Sequence, residues 1–136
     1  GDLNGDGLSD IVVVERTPLE ANADELCKCV YNVVFGRRAG REEPLDDVVS
    51  ADDLDGSIGF RIEVEADIIH GCTALLERGF DWNDDGVEDL AVGFLRYDPT
   101  QDSRRYLRPE THLLFGRREG GTPFQPRYLL REPLDG

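Results

Sequence analysis

Two nine-residue segments of this chain, Asp2–Asp10 and Asp81–Asp89, share the pattern D-x-N-x-D-G-x-x-D. In the first, Asp2, Asn4, Asp6 and Asp10 offer side-chain oxygens, and the Leu8 carbonyl offers a backbone one. In the second, Asp81, Asn83, Asp85 and Asp89 do the same, with the Val87 carbonyl. Ca²⁺ takes roughly 6–8 hard oxygen ligands in a flexible shell, which this mixture supplies, whereas Mg²⁺ prefers a rigid octahedron and keeps its water. Alternation at positions one, three and five lets a tightly curling backbone aim successive side chains inward. Gly7 and Gly86 stand where the curl needs a conformation that a Cβ opposes. The competing explanation is a plain Asp-Gly turn. A turn gains nothing from further acids at fixed offsets, and crowded carboxylates repel one another until a cation relieves them. Two Ca²⁺ sites are therefore expected. An EF-hand is excluded, because its position 12 needs a bidentate acid and Val13 and Val92 stand there. A dockerin-like module is excluded as well: its loops lead into helices and lie much closer together, while these lead into Ile-Val-Val-Val and Leu-Ala-Val-Gly.

The elements that must hold these loops also recur. Gly1–Val14 aligns with Phe80–Gly93 at an offset of 79, and Val33–Gly40 aligns with Leu113–Gly120 at 80. Leu54-Asp-Gly56 aligns with Leu134-Asp-Gly136, again at 80. Three blocks in one order at nearly one spacing mark an internal repeat. Within each unit the apolar runs are short and β-rich. Ile11–Val14 and Leu90–Val92 follow the loops, then Cys27–Phe35 and Thr111–Phe115 end in Phe-Gly. Phe60–Glu65 alternates apolar and polar, and Cys72–Glu77 leads into the second loop. Thr17–Glu25 and Leu95–Glu110 are polar and Pro-bearing and are expected to be surface loops, with a turn of helix allowed near Pro18–Leu26. About four strands per unit predicts an all-β chain: two antiparallel blades of a β-propeller, a fragment of a larger ring. The units are placed at 1–65, lacking its first strand, and 66–136, lacking its last.

Composition narrows the partners. Twenty-nine acidic against 15 basic residues give a net charge of −14, which repels nucleic acid and anionic membranes and favours divalent cations. No apolar run approaches a membrane span, so no direct membrane insertion is expected. The chain has no Met and opens inside a motif, which predicts a piece of something longer. Cys27, Cys29 and Cys72 read first as small buried residues, with one disulfide to Cys72 as the alternative. A zinc site ranks below both, since only His70 and His112 could join and neither has ligand spacing.

With loop, strand and Phe-Gly placed, the chain resembles the FG-GAP repeats of integrin α-subunit propellers and their bacterial relatives. The blocks that carry the resemblance are Gly1–Val14, Val33–Gly36, Leu54–Ile62, Asp81–Gly93 and Leu113–Gly116. The resemblance implies that each loop joins two strands of a blade and holds one Ca²⁺ through the residues named above. The family's Gly-Ala-Pro after the second strand is absent: Val14-Glu-Arg and Gly93-Phe-Leu stand instead.

Three functions are weighed. The first is a calcium-stabilised, non-catalytic propeller portion of an extracellular, cell-surface or periplasmic protein, recognising a protein or glycan and completed by further blades. The second is a propeller attached to a secreted hydrolase or lyase. Against it, no nucleophile–base pairing stands out, and acid pairs such as Asp46-Asp47 and Asp52-Asp53 read as solvated faces. The third is a structural spacer. Phe80, Trp82, Phe94, Tyr97 and Tyr106 could form an aromatic surface but read first as core, and Arg37-Arg38 and Arg117-Arg118 read as balancing acidity at the rim.

Overall fold

A computed structural model describes residues 1–18, 26–38, 49–65, 68–75, 80–97 and 107–131. The chain is all-β, with one short 3₁₀ turn at Ala51–Asp53 capped by the Ser50 side chain. Among the described residues seven strands occur: β1 (Ile11–Pro18), β2 (Leu26–Val34), β3 (Gly59–Glu65), β4 (Ile68–Leu75), β5 (Leu90–Tyr97), β6 (Leu107–Leu114) and β7 (Arg127–Arg131). Among the described residues no helix is long and apolar enough to cross a membrane.

Every expected apolar run overlaps a strand, although Phe35 and Phe115 lie just past theirs and residues 76–77 lie outside the described residues, and most strands run longer than the apolar pattern. β5 continues through Tyr97 and β6 begins at Leu107, so the expected surface loop over Leu95–Glu110 is shortened at both ends. The pairs Leu95↔Pro109, Arg96↔Arg108 and Tyr97↔Leu107 extend the ladder into charged sequence. Strand formation depends on cross-strand neighbours more than on composition, which is why polarity misleads here. β4 likewise starts at Ile68, ahead of the expected Cys72. β7 matches no expected strand. The allowed helical turn near Pro18–Leu26 falls almost wholly outside the described residues.

β1, β2 and β3 form one antiparallel meander, and β4, β5 and β6 form another. They are not two separate sheets. β3 pairs with Val30–Val34 of β2, and β4 takes up the next stretch through Leu26↔Ile69 and Cys27↔Ile68. β7 then adds to β3 in parallel, through Ile62↔Tyr128 and Val64↔Leu130. The result is a seven-stranded sheet in the order β6-β5-β4-β2-β3-β7, with β1 on the other edge of β2.

Antiparallel partners share a face, so register fixes what is buried. Tyr31 and Val33 of β2 stand opposite Ile62 and Phe60 of β3, and all four are buried. They join Leu90, Val92 and Phe94 of β5 in one core. The Tyr31 hydroxyl crosses to donate to the Gly93 carbonyl at 2.8 Å. Phe124 stacks on Phe60 at 4.7 Å and lies 5.4 Å from Phe35, closing one end. Each such side chain contributes about 1.5–3 kcal/mol by leaving water. Cys29 is buried in the same core and disulfide-bonded, so the reading of three plain buried thiols is replaced.

Candidate functional site

Both acidic loops fold back on themselves in the same way. In the first, the Asp6 and Gly7 N–H groups donate to Asp2 at 3.1 and 2.8 Å, and the Leu8 N–H donates to Asp6 at 2.8 Å. Asn4 accepts from the Asp6 N–H at 3.3 Å and donates its amide to Asp6 at 3.0 Å. In the second, Asp85 and Gly86 donate to Asp81 at 3.1 and 2.7 Å, and Val87 donates to Asp85 at 2.9 Å. Asn83 repeats Asn4, accepting at 3.2 Å and donating at 2.9 Å. The sequence of acids at alternate positions thus produces two copies of one curl. Gly7 and Gly86 carry φ of +83° and +85°, the left-handed conformation expected of them.

The last acid of each loop has a different task. Asp10 is buried and accepts from the Leu3 N–H at 2.7 Å and the Gly36 N–H at 2.9 Å. Asp89, fully buried, accepts from Trp82 at 2.7 Å and Gly116 at 2.8 Å. Each carboxylate therefore ties the start of its loop to the Phe-Gly turn of its own unit. The glycine of that turn is required by space: a Cβ on Gly36 would lie 2.5 Å from the Ser9 carbonyl oxygen, and one on Gly116 2.2 Å from that of Glu88. Burial raises the Asp10 pKa most; the Gly36 and Leu3 hydrogen bonds pull it down, and the charges of Asp6 and Asp2 push it further up.

The two loops also touch. The Asp2 N–H donates to Glu88 Oε2, the Arg117 N–H donates to the Leu3 carbonyl at 2.9 Å, and Arg118 donates to the Asp85 carbonyl. Between them opens a cleft of about 590 Å³, lined by Asp2, Gly5 and Leu8 from one loop, Gly86 and Glu88 from the other, and Arg118. Glu88 bridges the two loops and Arg118 holds the second one, and the motif marks neither. In the first loop Ser9 stands where Glu88 does, and that difference was the sequence signal for Glu88.

All ten expected metal-ligating residues lie in these curls. Among the described residues, however, no three of His, Cys, Asp and Glu converge closely enough to hold a metal by themselves. The expected ligand set is not made of those types alone: it adds an Asn amide oxygen and a peptide carbonyl to the carboxylates. Each carboxylate oxygen has two lone pairs, and the loop N–H groups use one of them. The donor set is all hard oxygen and suits Ca²⁺ in kind.

Other candidates resolve differently. His112 stacks on Phe94 at 5.5 Å with its Nε2 3.6 Å from Glu110, a strand residue as expected; the His70 side chain lies outside the described residues. Asp52 and Asp53 are exposed, while Asp46 and Asp47 lie outside the described residues. Trp82 is exposed and Phe94 is core, so the aromatic set is divided; the Tyr97 and Tyr106 side chains are not described. The second Arg pair also holds backbone carbonyls. Arg117 donates to the Thr122 and Pro123 carbonyls and sits over Phe124 at 4.7 Å, and Arg118 takes the Asp85 carbonyl.

Comparison with known proteins yields no match among family models, curated proteins or solved structures.

Proposed function

We propose that the chain is a calcium-binding, FG-GAP-type β-propeller portion of an extracellular or cell-surface protein, non-catalytic, presenting a surface to a protein or glycan. The observation that carries this reading is the duplicated curl, in which the same five side-chain-to-loop hydrogen bonds recur 79 residues apart around an all-oxygen donor set. Asp2, Asn4, Asp6, Asp10 and the Leu8 carbonyl would hold one ion. Asp81, Asn83, Asp85, Asp89 and the Val87 carbonyl would hold the other. A bound cation would neutralise clustered carboxylates and stiffen the loops that lead directly into β1 and β5. The disulfide at Cys29 favours an oxidising compartment, where calcium is plentiful. The blade assignment rests on the two antiparallel meanders; the parallel β3–β7 pair and the β2–β4 junction are additions to a simple blade.

Calorimetric Ca²⁺ titration of chelator-treated protein tests the reading. Two sites are expected, one lost in Asp6→Ala and the other in Asp85→Ala, each raising the Tm when filled. A sample that is folded by circular dichroism yet takes up no calcium would overturn it.

A further inference from the structure

Position eight of the nine-residue pattern is not an expected ligand position, and the two loops fill it differently: exposed Ser9 in the first, half-buried Glu88 in the second. Chain adjacency assigns the Glu88 charge to its own loop, between Val87 and Asp89. The structure directs it elsewhere. Glu88 Oε2 accepts the Asp2 N–H, 86 residues away, and its side chain is 19 % exposed. Beside it the Arg117 N–H donates to the Leu3 carbonyl at 2.9 Å. The second Phe-Gly turn lies where the loops meet: a Cβ on Gly116 would stand 2.2 Å from the Glu88 carbonyl oxygen and 3.0 Å from that of Leu3. Two consecutive residues at the start of the first loop, Asp2 and Leu3, are thus held by the second unit.

We infer that Glu88 is a positioning residue for the cation of the first loop rather than for that of its own, so that the first site is completed across the repeat boundary. This rests on the calcium reading of the loops. Asp2 is the first acid of its loop, and its carboxylate takes the Asp6 and Gly7 N–H groups at 3.1 and 2.8 Å. It therefore shapes the curl as well as being an expected ligand. Pinning its backbone N–H fixes where that carboxylate starts, the kind of outer contact that orients a metal ligand. Glu88 also brings a negative charge to the backbone of that ligand. In a half-buried position salt screens such a charge less than it does an exposed one. Ser9, at the same place in the first loop, has no charge to bring.

Calorimetric Ca²⁺ titration of the whole chain tests it in two backgrounds, Asp85→Ala to isolate the first loop and Asp6→Ala to isolate the second. Glu88→Gln keeps an acceptor oxygen for the Asp2 N–H and removes the charge. Added to each background, it is expected to weaken the first site about tenfold and the second by less than about twofold. With Glu88 in place the first site should also weaken more steeply with salt than it does in Glu88→Gln, which a purely structural contact would not cause. The metal-free Tm, measured in chelator, is expected to be unchanged by Glu88→Gln. A loss at the second site as large as that at the first would return Glu88 to its own loop and overturn the inference. So would an unchanged first site, whether or not the metal-free Tm falls, since Glu88 would then serve packing alone. Wild-type protein that is folded yet takes up no calcium overturns the calcium reading itself, and this inference with it.

Discussion

The first and second repeats are alike where they curl and unlike where they pack. Their acidic loops match hydrogen bond for hydrogen bond, and each is tied by its last Asp to its own Phe-Gly turn. The strands that follow face opposite ways: β1 presents Ile11 and Val13 to solvent, and β5 inserts Leu90 and Val92 into the core. Local sequence is thus enough to set the curl, because each of its own bonds spans two to five residues. Which face of a strand is covered is set by what lies beyond it, and the two units have different neighbours.

Alanine substitution at paired positions is the strongest way to break that comparison. Phe35 packs 5.8 Å from Phe60 and 5.4 Å from Phe124, so Phe35→Ala is expected to cost about 3–5 kcal/mol. Phe115→Ala, at the equivalent exposed position, is expected to stay within about 0.5–1 kcal/mol. Leu90→Ala and Ile11→Ala should divide the other way, the second-unit residue being the costly one. Chemical denaturation at one pH measures all four. Equal losses within either pair would show that the repeats bury their strands alike in solution.

The legible part of the molecule follows the same division. The loops, the Gly7 and Gly86 conformations and the strand after each loop could be read from sequence, because acids, glycines and β-branched runs sit next to what they shape. The partners of Glu88 and Arg118 could not, since they lie 86 and 33 residues away. β7 was missed for a similar reason. It is five residues long with Arg at both ends, and it exists because β3 offers a parallel edge. The motif also gave Asp10 and Asp89 the same role as the other acids. Both also clamp the Phe-Gly turn, so the recurrence of Phe-Gly at each repeat acquires a physical cause.

A smaller effect comes from the charged cluster around β3 of the first unit. Glu63 is nearly buried and meets Arg127, with Lys28 at 3.5 Å and Arg61 at 3.8 Å. Burial alone would raise its pKa; the Arg127 hydrogen bond and the charges of Lys28 and Arg127 together outweigh this and leave it lowered. A carboxyl lowered in the folded state stabilises above its unfolded pKa, and that stability is lost as pH falls through the folded value. Glu63→Gln is therefore expected to cost about 1–2 kcal/mol at neutral pH. The gap from wild type should close as pH drops below the ordinary glutamate range. A gap independent of pH would assign the loss to packing rather than charge.

The smallest difference between the repeats is a single backbone angle. Gly5 in the first loop has φ of +68°, and its counterpart Asp84 adopts +57°, the only non-glycine residue at positive φ among those described. A Cβ on Gly5 would stand 3.2 Å from the Arg118 Cα and 3.3 Å from the Arg117 carbonyl oxygen, so the first loop needs glycine for space as well as conformation. Asp84 is exposed and bears only the conformational strain. Left-handed backbone costs a side-chain-bearing residue about 1–2 kcal/mol, and Asp, which hydrogen-bonds locally, bears less of it. Glycine gives back about 0.5–1 kcal/mol through the freedom of the unfolded chain. Asp84→Gly is thus expected to change stability by no more than about 0.5 kcal/mol, in the stabilising direction, while Gly5→Asp destabilises by more because it must also displace the Arg117–Arg118 backbone. Thermal melts of the two variants read the comparison directly. Equal and opposite shifts would mean that the angle alone decides, and that the contact between the first loop and the second unit adds nothing at Gly5.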